Sequence, residues 1–189
     1  MERVLKEAAH DKRVERTRQA LSGAFFVMVL DTPYDDIKVE DIAARARVGR
    51  STFYEHFSSK DEILTASLGH PMGVLADAMR ARDNTADLVR LMEHFWENRA
   101  IAPGIFRGPA RVVVISALVE LIEERFKLDR VESPNPLIIP PRLAAIQLAE
   151  GLLAPVSAWI CGESQCKPEV LAQALRQTAT ATLQALRRH

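Results

Sequence analysis

Two cysteines in 189 residues cannot build a disulfide scaffold. Their spacing, Cys161-x4-Cys166, leaves three readings: a redox pair, half a zinc site, or two ordinary buried or loop thiols. No second ligand pair with zinc spacing lies nearby. Net charge is also missing, with 25 basic and 25 acidic residues. A nucleic-acid partner therefore gains no support from bulk charge and has to be argued from local clusters. No apolar run reaches the ~18 residues of a membrane span. The first eighteen residues are charged throughout, unlike a secretory signal. Together these absences lead to the expectation of a cytoplasmic protein with no membrane partner. Alternating strand patterns of useful length are lacking. So are a Gly-rich phosphate loop and a Ser/His/Asp order. A di-iron bundle needs inward Glu-x-x-His pairs, and the nearest fit is Glu7-x-x-His10 on a charged N-terminal arm. No catalytic residue, metal or cofactor is expected.

What remains is helix. With 48% hydrophobic residues the chain can bury a core. A first helix over residues 11–30 carries Val14, Leu21, Ala24, Phe25 and Met28 on one stripe, and Lys12, Arg13, Arg16 and Arg18 crowd its start. Asp31-Thr32-Pro33 ends it. A short helix over 39–46 turns Ile42, Ala43 and Ala46 inward and places Glu40 and Asp41 where the helix dipole favours acids. After a tight turn at Arg47-Val48-Gly49, a third helix covers 50–57. Ser59 and Glu62 form a capping box for a fourth. Helices are then expected over 61–68, 72–81 after Pro71, 86–99, 110–128, 141–160 and 168–188, with a proline-rich loop over 133–141. Val112 to Ile115 is β-branched, but the run continues at helical spacing and reads as helix. Pro141 and Pro168 suit first-turn positions. Pro155 should kink or interrupt its helix.

The stretch "RARVGRSTFYEHFSSK", residues 45–60, gathers four basic side chains, hydroxyls, a tyrosine and a histidine around Phe53 and Phe57. Two short helices joined by about three residues, the second rich in Arg, Ser, Thr and Tyr, follow the plan of a helix-turn-helix. Phe53 and Phe57, four apart, pin the second helix to the first two. Arg50, Ser51, Tyr54 and Lys60 then face outward. Arg50 can present a bidentate fork to guanine O6 and N7. Ser51 can touch a base edge or a phosphate. Thr52, Tyr54, His56 and Lys60 can donate to phosphate oxygens, which fixes register without reading sequence. Arg45 and Arg47 add charge near the backbone.

"VEDIAARARVGRSTFYEHFSSKDEIL", residues 39–64, resembles the DNA-binding signature of the TetR family. Ile42-Ala43, Thr52-Phe53-Tyr54, His56-Phe57 and Ser59-Lys60-Asp61 match in register, and Thr17 and Ala24-Phe25-Phe26 fit the first helix. Three positions depart from the family: Arg47 stands for a turn glycine, Lys38 for a capping threonine, and Asp31 for a glycine. An arginine tolerates a left-handed conformation poorly. Either the turn is shaped differently or Gly49 takes up the strain, and Asp36 is an alternative cap.

The resemblance implies an all-α fold with a helix-turn-helix DNA-binding domain at 1–66 and a helical ligand-binding and dimerisation domain at 67–189. It implies a regulator, most often a repressor, that binds a palindromic double-stranded DNA operator as a homodimer and is released by a small effector. It places the dimer in the two C-terminal helices. Met72, Met79, Met92, Phe95, Trp96 and Phe106 read as core packing or as an apolar pocket, with His94, Arg99, Arg107 and Gln147 as candidate polar contacts. The candidate effector contacts are Met92, Phe95, Trp96, Phe106 and Gln147. Trp159 is a candidate interface anchor. The last helix is rich in small residues (Ala172, Ala174, Thr178, Ala179, Thr180, Ala181, Thr182, Ala185), which suits a seam or a core helix alike. Ala144, Ala145, Leu148, Leu152 and Leu153 on the preceding helix favour the seam. Two other functional classes compete: a ligand-independent architectural DNA-binding protein, which the neutral charge disfavours, and a helical-bundle enzyme.

Overall fold

A computed structural model describes the backbone of residues 2–80, 85–132 and 136–187, and their side chains apart from those of 2–11, 102 and 129–132. The side chains of Glu7 and His10, and residues 133–135 of the proline-rich loop, lie outside the described set. Among the described residues the fold is all-α. Its helices are α1 (Glu2–Asp31), α2 (Val39–Arg45), α3 (Arg50–His56), α4 (Lys60–Asp77), α5 (Thr85–Glu97), α6 (Ala102–Phe106), α7 (Gly108–Glu132), α8 (Pro141–Ile160) and α9 (Pro168–Ala185). Two 3-10 turns and one isolated antiparallel bridge, Leu137 to Arg187, complete it. The chain divides into two compact units, residues 1–67 and 68–189.

In the first unit α1, α2 and α3 pack on one another. Leu21, Phe25, Ile42, Phe53, Ile63 and Leu64 are fully buried, and Phe57 nearly so. Phe53 and Phe57 do face the core together, their ring centroids 6.2 Å apart. Arg18 of α1 closes the arrangement from outside. Its guanidinium lies 4.4 Å from the Phe57 ring centroid, and Nη1 donates to the His56 carbonyl at 3.0 Å. The C-terminal end of α3 thus gains a cation against its unsatisfied carbonyls.

In the second unit α7 packs on α8, α5 on α9 and α8 on α9. Two expectations change here. Pro71 does not divide a helix: α4 runs through it. A proline removes one donor and one clear carbonyl position, and burial of Met72, Leu75 and Ala76 on the next turn overrides that loss. Pro155 likewise lies inside α8. The second change concerns hydropathy. α8 is 20 residues long and by length and composition apolar enough to cross a membrane, although half of its apolar stretch is buried inside the protein. Its charges are employed: Glu150 accepts from Arg111 of α7, and Arg142 reaches Glu123 at 2.6 Å. A charge-interrupted core helix and a spanning helix share composition, and Arg142 and Glu150 keep α8 from forming an unbroken apolar run.

Candidate nucleic-acid interface

The turn between α2 and α3 is built from backbone bonds. Val48 N–H donates to the Ala43 carbonyl and Arg47 N–H to the Ala44 carbonyl, both at 3.0 Å. With Ala46 as C-cap this is the paired bonding of a Schellman motif, whose next residue adopts a left-handed conformation. That residue is Arg47, at φ 57°, the one non-glycine with positive φ among the described residues. Gly49 has φ −73° and serves as N-cap of α3, so it takes up none of the strain. Lys38 is the N-cap of α2 and makes no side-chain cap bond, and Asp36 does not replace it.

Arg45, Arg47, Arg50, Ser51 and Tyr54 are exposed, while Thr52 and His56 are half-buried on the flank of α3. These seven candidates therefore surround one short helix whose opposite face is the Phe53/Phe57 anchor. Arg50, the first residue of α3, is held on two sides. Nη1 lies 2.9 Å from Glu40 Oε1, and the guanidinium stands 5.6 Å from the Tyr54 ring centroid. The Tyr54 side chain first, and the Glu40 carboxylate second, push the Arg50 pKa above its ordinary value. Sequence reading missed this role of Glu40. It marked the acid as a first-turn residue, and no spacing rule places the start of α2 beside the start of α3.

Lys60 corrects its expectation. Its three ammonium protons meet three carbonyls, those of Tyr34, Ile37 and Asp35, at 2.5, 3.1 and 3.3 Å, and Nζ lies 4.4 Å over the Tyr34 ring. An ammonium has three donors and no more, so a phosphate would have to displace one of these bonds. Lys60 is half-buried and ties the loop before α2 to the start of α4. Beside it the Tyr34 hydroxyl donates to the Asp61 carboxylate. Burial first, and that bond second, raise the Tyr34 pKa far above the phenol range.

The effector candidates separate in the second unit. Met92, Phe95 and Phe106 are buried, and the two phenylalanine rings meet at 5.6 Å. Trp96 is half-buried and lies against Trp159, centroids 5.0 Å apart. Gln147 is exposed, because α8 buries Ala144, Ala145, Leu148 and Leu152 and so turns Gln147 to the opposite face. It does not join the others. His94 contacts Asn98, Arg99 lies over Trp96, and Arg107 pairs with Glu163, all three exposed. Trp159 is 3% exposed, and its Nε1 donates to the Cys166 carbonyl at 3.0 Å, so it anchors its own chain rather than an interface. Cys161 and Cys166 are free thiols, and no three His, Cys, Asp or Glu side chains among the described residues converge as metal ligands.

A trihelical head with a basic, hydroxyl-bearing second helix over an aromatic anchor defines a helix-turn-helix DNA-binding protein. Residues 29–66 match the sequence profile of "Bacterial regulatory proteins, tetR family". The likeness to that family's DNA-binding segment is confined to this stretch, which runs from the end of α1 through α2 and α3 into α4. A 73-residue stretch, 38% of this chain, is 36% identical to YxbF of Bacillus subtilis strain 168, described as an uncharacterized HTH-type transcriptional regulator. The match spans 19% of that relative, about a fifth of its length. Among solved structures, the TetR transcriptional regulator from Streptococcus agalactiae 2603V is similar at TM-score 0.58 and 21% identity, covering 92% of this chain and 98% of the other. NalD of Pseudomonas aeruginosa, named as the secondary repressor of the MexAB-OprM multidrug efflux pump, is similar at TM-score 0.52 and 21% identity, covering 93% and 98%. At such identities the likeness is one of fold.

Proposed function

We propose that the protein is a dimeric, sequence-reading repressor that binds a palindromic operator through α3 and is released by a small, largely apolar effector. The observation that carries this reading is α3 itself. Arg50, Ser51 and Tyr54 are exposed on a helix held from behind by Phe53, Phe57 and Arg18, with Arg45 and Arg47 beside it. In this reading Arg50 reads a base pair and Ser51 a base edge or phosphate. Arg45, Arg47, Thr52, Tyr54 and His56 fix register on phosphates. Lys60 is left out, since its donors are engaged.

A second copy of the chain suits the outward faces of α8 and α9. Leu143, Ile146, Gln147, Gly151 and Ala154 are exposed along α8, and Val170, Ala174, Thr178, Ala181 and Ala185 along α9. None carries a charge. The Thr178 hydroxyl donates to its own helix, to the Ala174 carbonyl at 2.8 Å. An exposed mid-helix glycine costs about 1 kcal/mol relative to alanine, and no atom lies within 4 Å of a Cβ added at Gly151. On this face such a glycine would let a partner helix approach closely. This seam differs from the one read off the sequence: Ala144, Ala145, Leu148, Leu152, Leu153, Ala172 and Ala179 are buried within the chain. For the effector, buried Met72, Met79, Met92, Phe95 and Phe106 supply soft, polarisable and aromatic surface.

Selection of binding sites from a random duplex pool tests the reading. The expected product is a two-fold symmetric motif with half-sites about one helical turn, or a multiple of it, apart. A pool that stays random at low and at physiological salt, with and without cell extract as a source of effector, would contradict it.

A further inference from the structure

Glu40 sits on a face where an acid is unwelcome. Its ion-pair partner is Arg50, the first residue of α3, and phosphate binding gains from each cation and loses from each anion. The dipole of α2 accommodates an acid at its start, but Asp41 already stands in that turn. As a surface ion pair with side chains 62% and 52% exposed, Arg50–Glu40 contributes little to folding. Stability therefore does not account for Glu40. Its geometry toward Arg50 does. Glu40 engages Nη1 at 2.9 Å while the Tyr54 ring limits the guanidinium from another side. A guanidinium has five donors in a rigid fork. One edge can stay on the carboxylate while the other meets guanine O6 and N7. An arginine already held in place loses less side-chain freedom when it binds.

We propose that Glu40 is a specificity-determining residue that positions Arg50 for one base pair and, by its charge, disfavours binding out of register. The inference rests on the reading of α3 as the DNA reader.

The test measures binding by wild type, Glu40→Gln, Glu40→Asp, Arg50→Ala and the Glu40→Gln/Arg50→Ala double variant. The targets are the selected operator, the same duplex with the Arg50-dependent base pair replaced, and an unrelated duplex. Glu40→Gln should hold the operator within about threefold of wild type but bind the unrelated duplex about fivefold tighter. Its preference for the operator over the replaced duplex should fall about five- to tenfold. In the Arg50→Ala background Glu40→Gln should change that preference no further. Glu40→Asp keeps the charge but is one methylene short, so it should lose the preference without gaining affinity for the unrelated duplex. Undiminished preference in Glu40→Gln would overturn the proposal. So would an equal loss with and without Arg50, or full preference in Glu40→Asp, since either means that charge alone is at work. Failure of the underlying reading looks different: Arg50→Ala itself would then select every position as wild type does. Glu40 is exposed, and unchanged helicity by circular dichroism confirms that each variant folds.

Discussion

Arg47 occupies a left-handed conformation that a glycine would hold without strain. For a side-chain-bearing residue the cost is roughly 1–2 kcal/mol, and glycine gives part of the difference back through its more flexible unfolded chain. Arg47→Gly should therefore raise stability by about 0.5–1 kcal/mol, read as a higher midpoint in urea. If the arginine meets a phosphate, the same change should reduce the salt slope of DNA binding by about 0.9. A stabilised variant with an unchanged slope would leave the strain without a purpose on DNA. Lys60 offers the opposite case. Lys60→Met keeps the stem and removes three donors, so stability should fall by about 1–3 kcal/mol while the salt slope stays as in wild type. A reduced slope with unchanged stability would return Lys60 to the phosphate contacts. The departure at Arg47 was visible in the sequence because the turn is local. The expectation of a reshaped turn, or of strain moved to Gly49, was overturned, since Arg47 itself stands at φ 57°. The task of Lys60 was not visible, since its partners Tyr34, Asp35 and Ile37 lie more than twenty residues away in the chain.

At the level of elements, the start of α4 was written locally and could be read. Ser59 caps α4 as its spacing predicts, accepting from Glu62 N–H at 3.2 Å. The returning bond goes one residue further than the usual box. The Glu62 carboxylate accepts from the Ser58 hydroxyl and the Ser58 N–H at 2.7 and 2.6 Å. Those two bonds, the hydroxyl first, lower the Glu62 pKa. A carboxyl whose folded pKa lies below its unfolded value of about 4.3 stabilises the fold above that pH and ceases to do so as pH falls through the lowered value. Glu62→Gln should accordingly lower the thermal midpoint by about 1–3 °C at pH 7, and the gap should close in acid. An equal gap at pH 7 and pH 3 would place the effect in packing rather than in the charge. Pro71 shows where local reading stops. A single missing donor is a weak signal, and the burial that outweighs it, at Met72, Leu75 and Ala76, depends on the rest of the second unit.

For the whole molecule, the all-helical class followed from periodicity, but the outward face of α8 did not. That helix is apolar nearly all round. Leu143, Ile146 and Ala154 look like Ala145, Leu148 and Leu152 until packing decides which face is covered. Ala154→Glu would set two acids against each other across a two-fold seam. Sedimentation should show a dimer for wild type and a monomer for the variant, with operator affinity down by at least about tenfold as the two half-sites uncouple. A dimeric Ala154→Glu protein would move the seam elsewhere. The central claim, that α3 reads sequence in a symmetric pair of heads, is tested most directly by repeating the duplex selection with Arg50→Ala beside wild type. The account predicts the same palindrome with preference relaxed at one symmetric pair of positions and affinity lower by about 1–3 kcal/mol there. An identical motif from both proteins, or a loss spread evenly over all sequences, would contradict it.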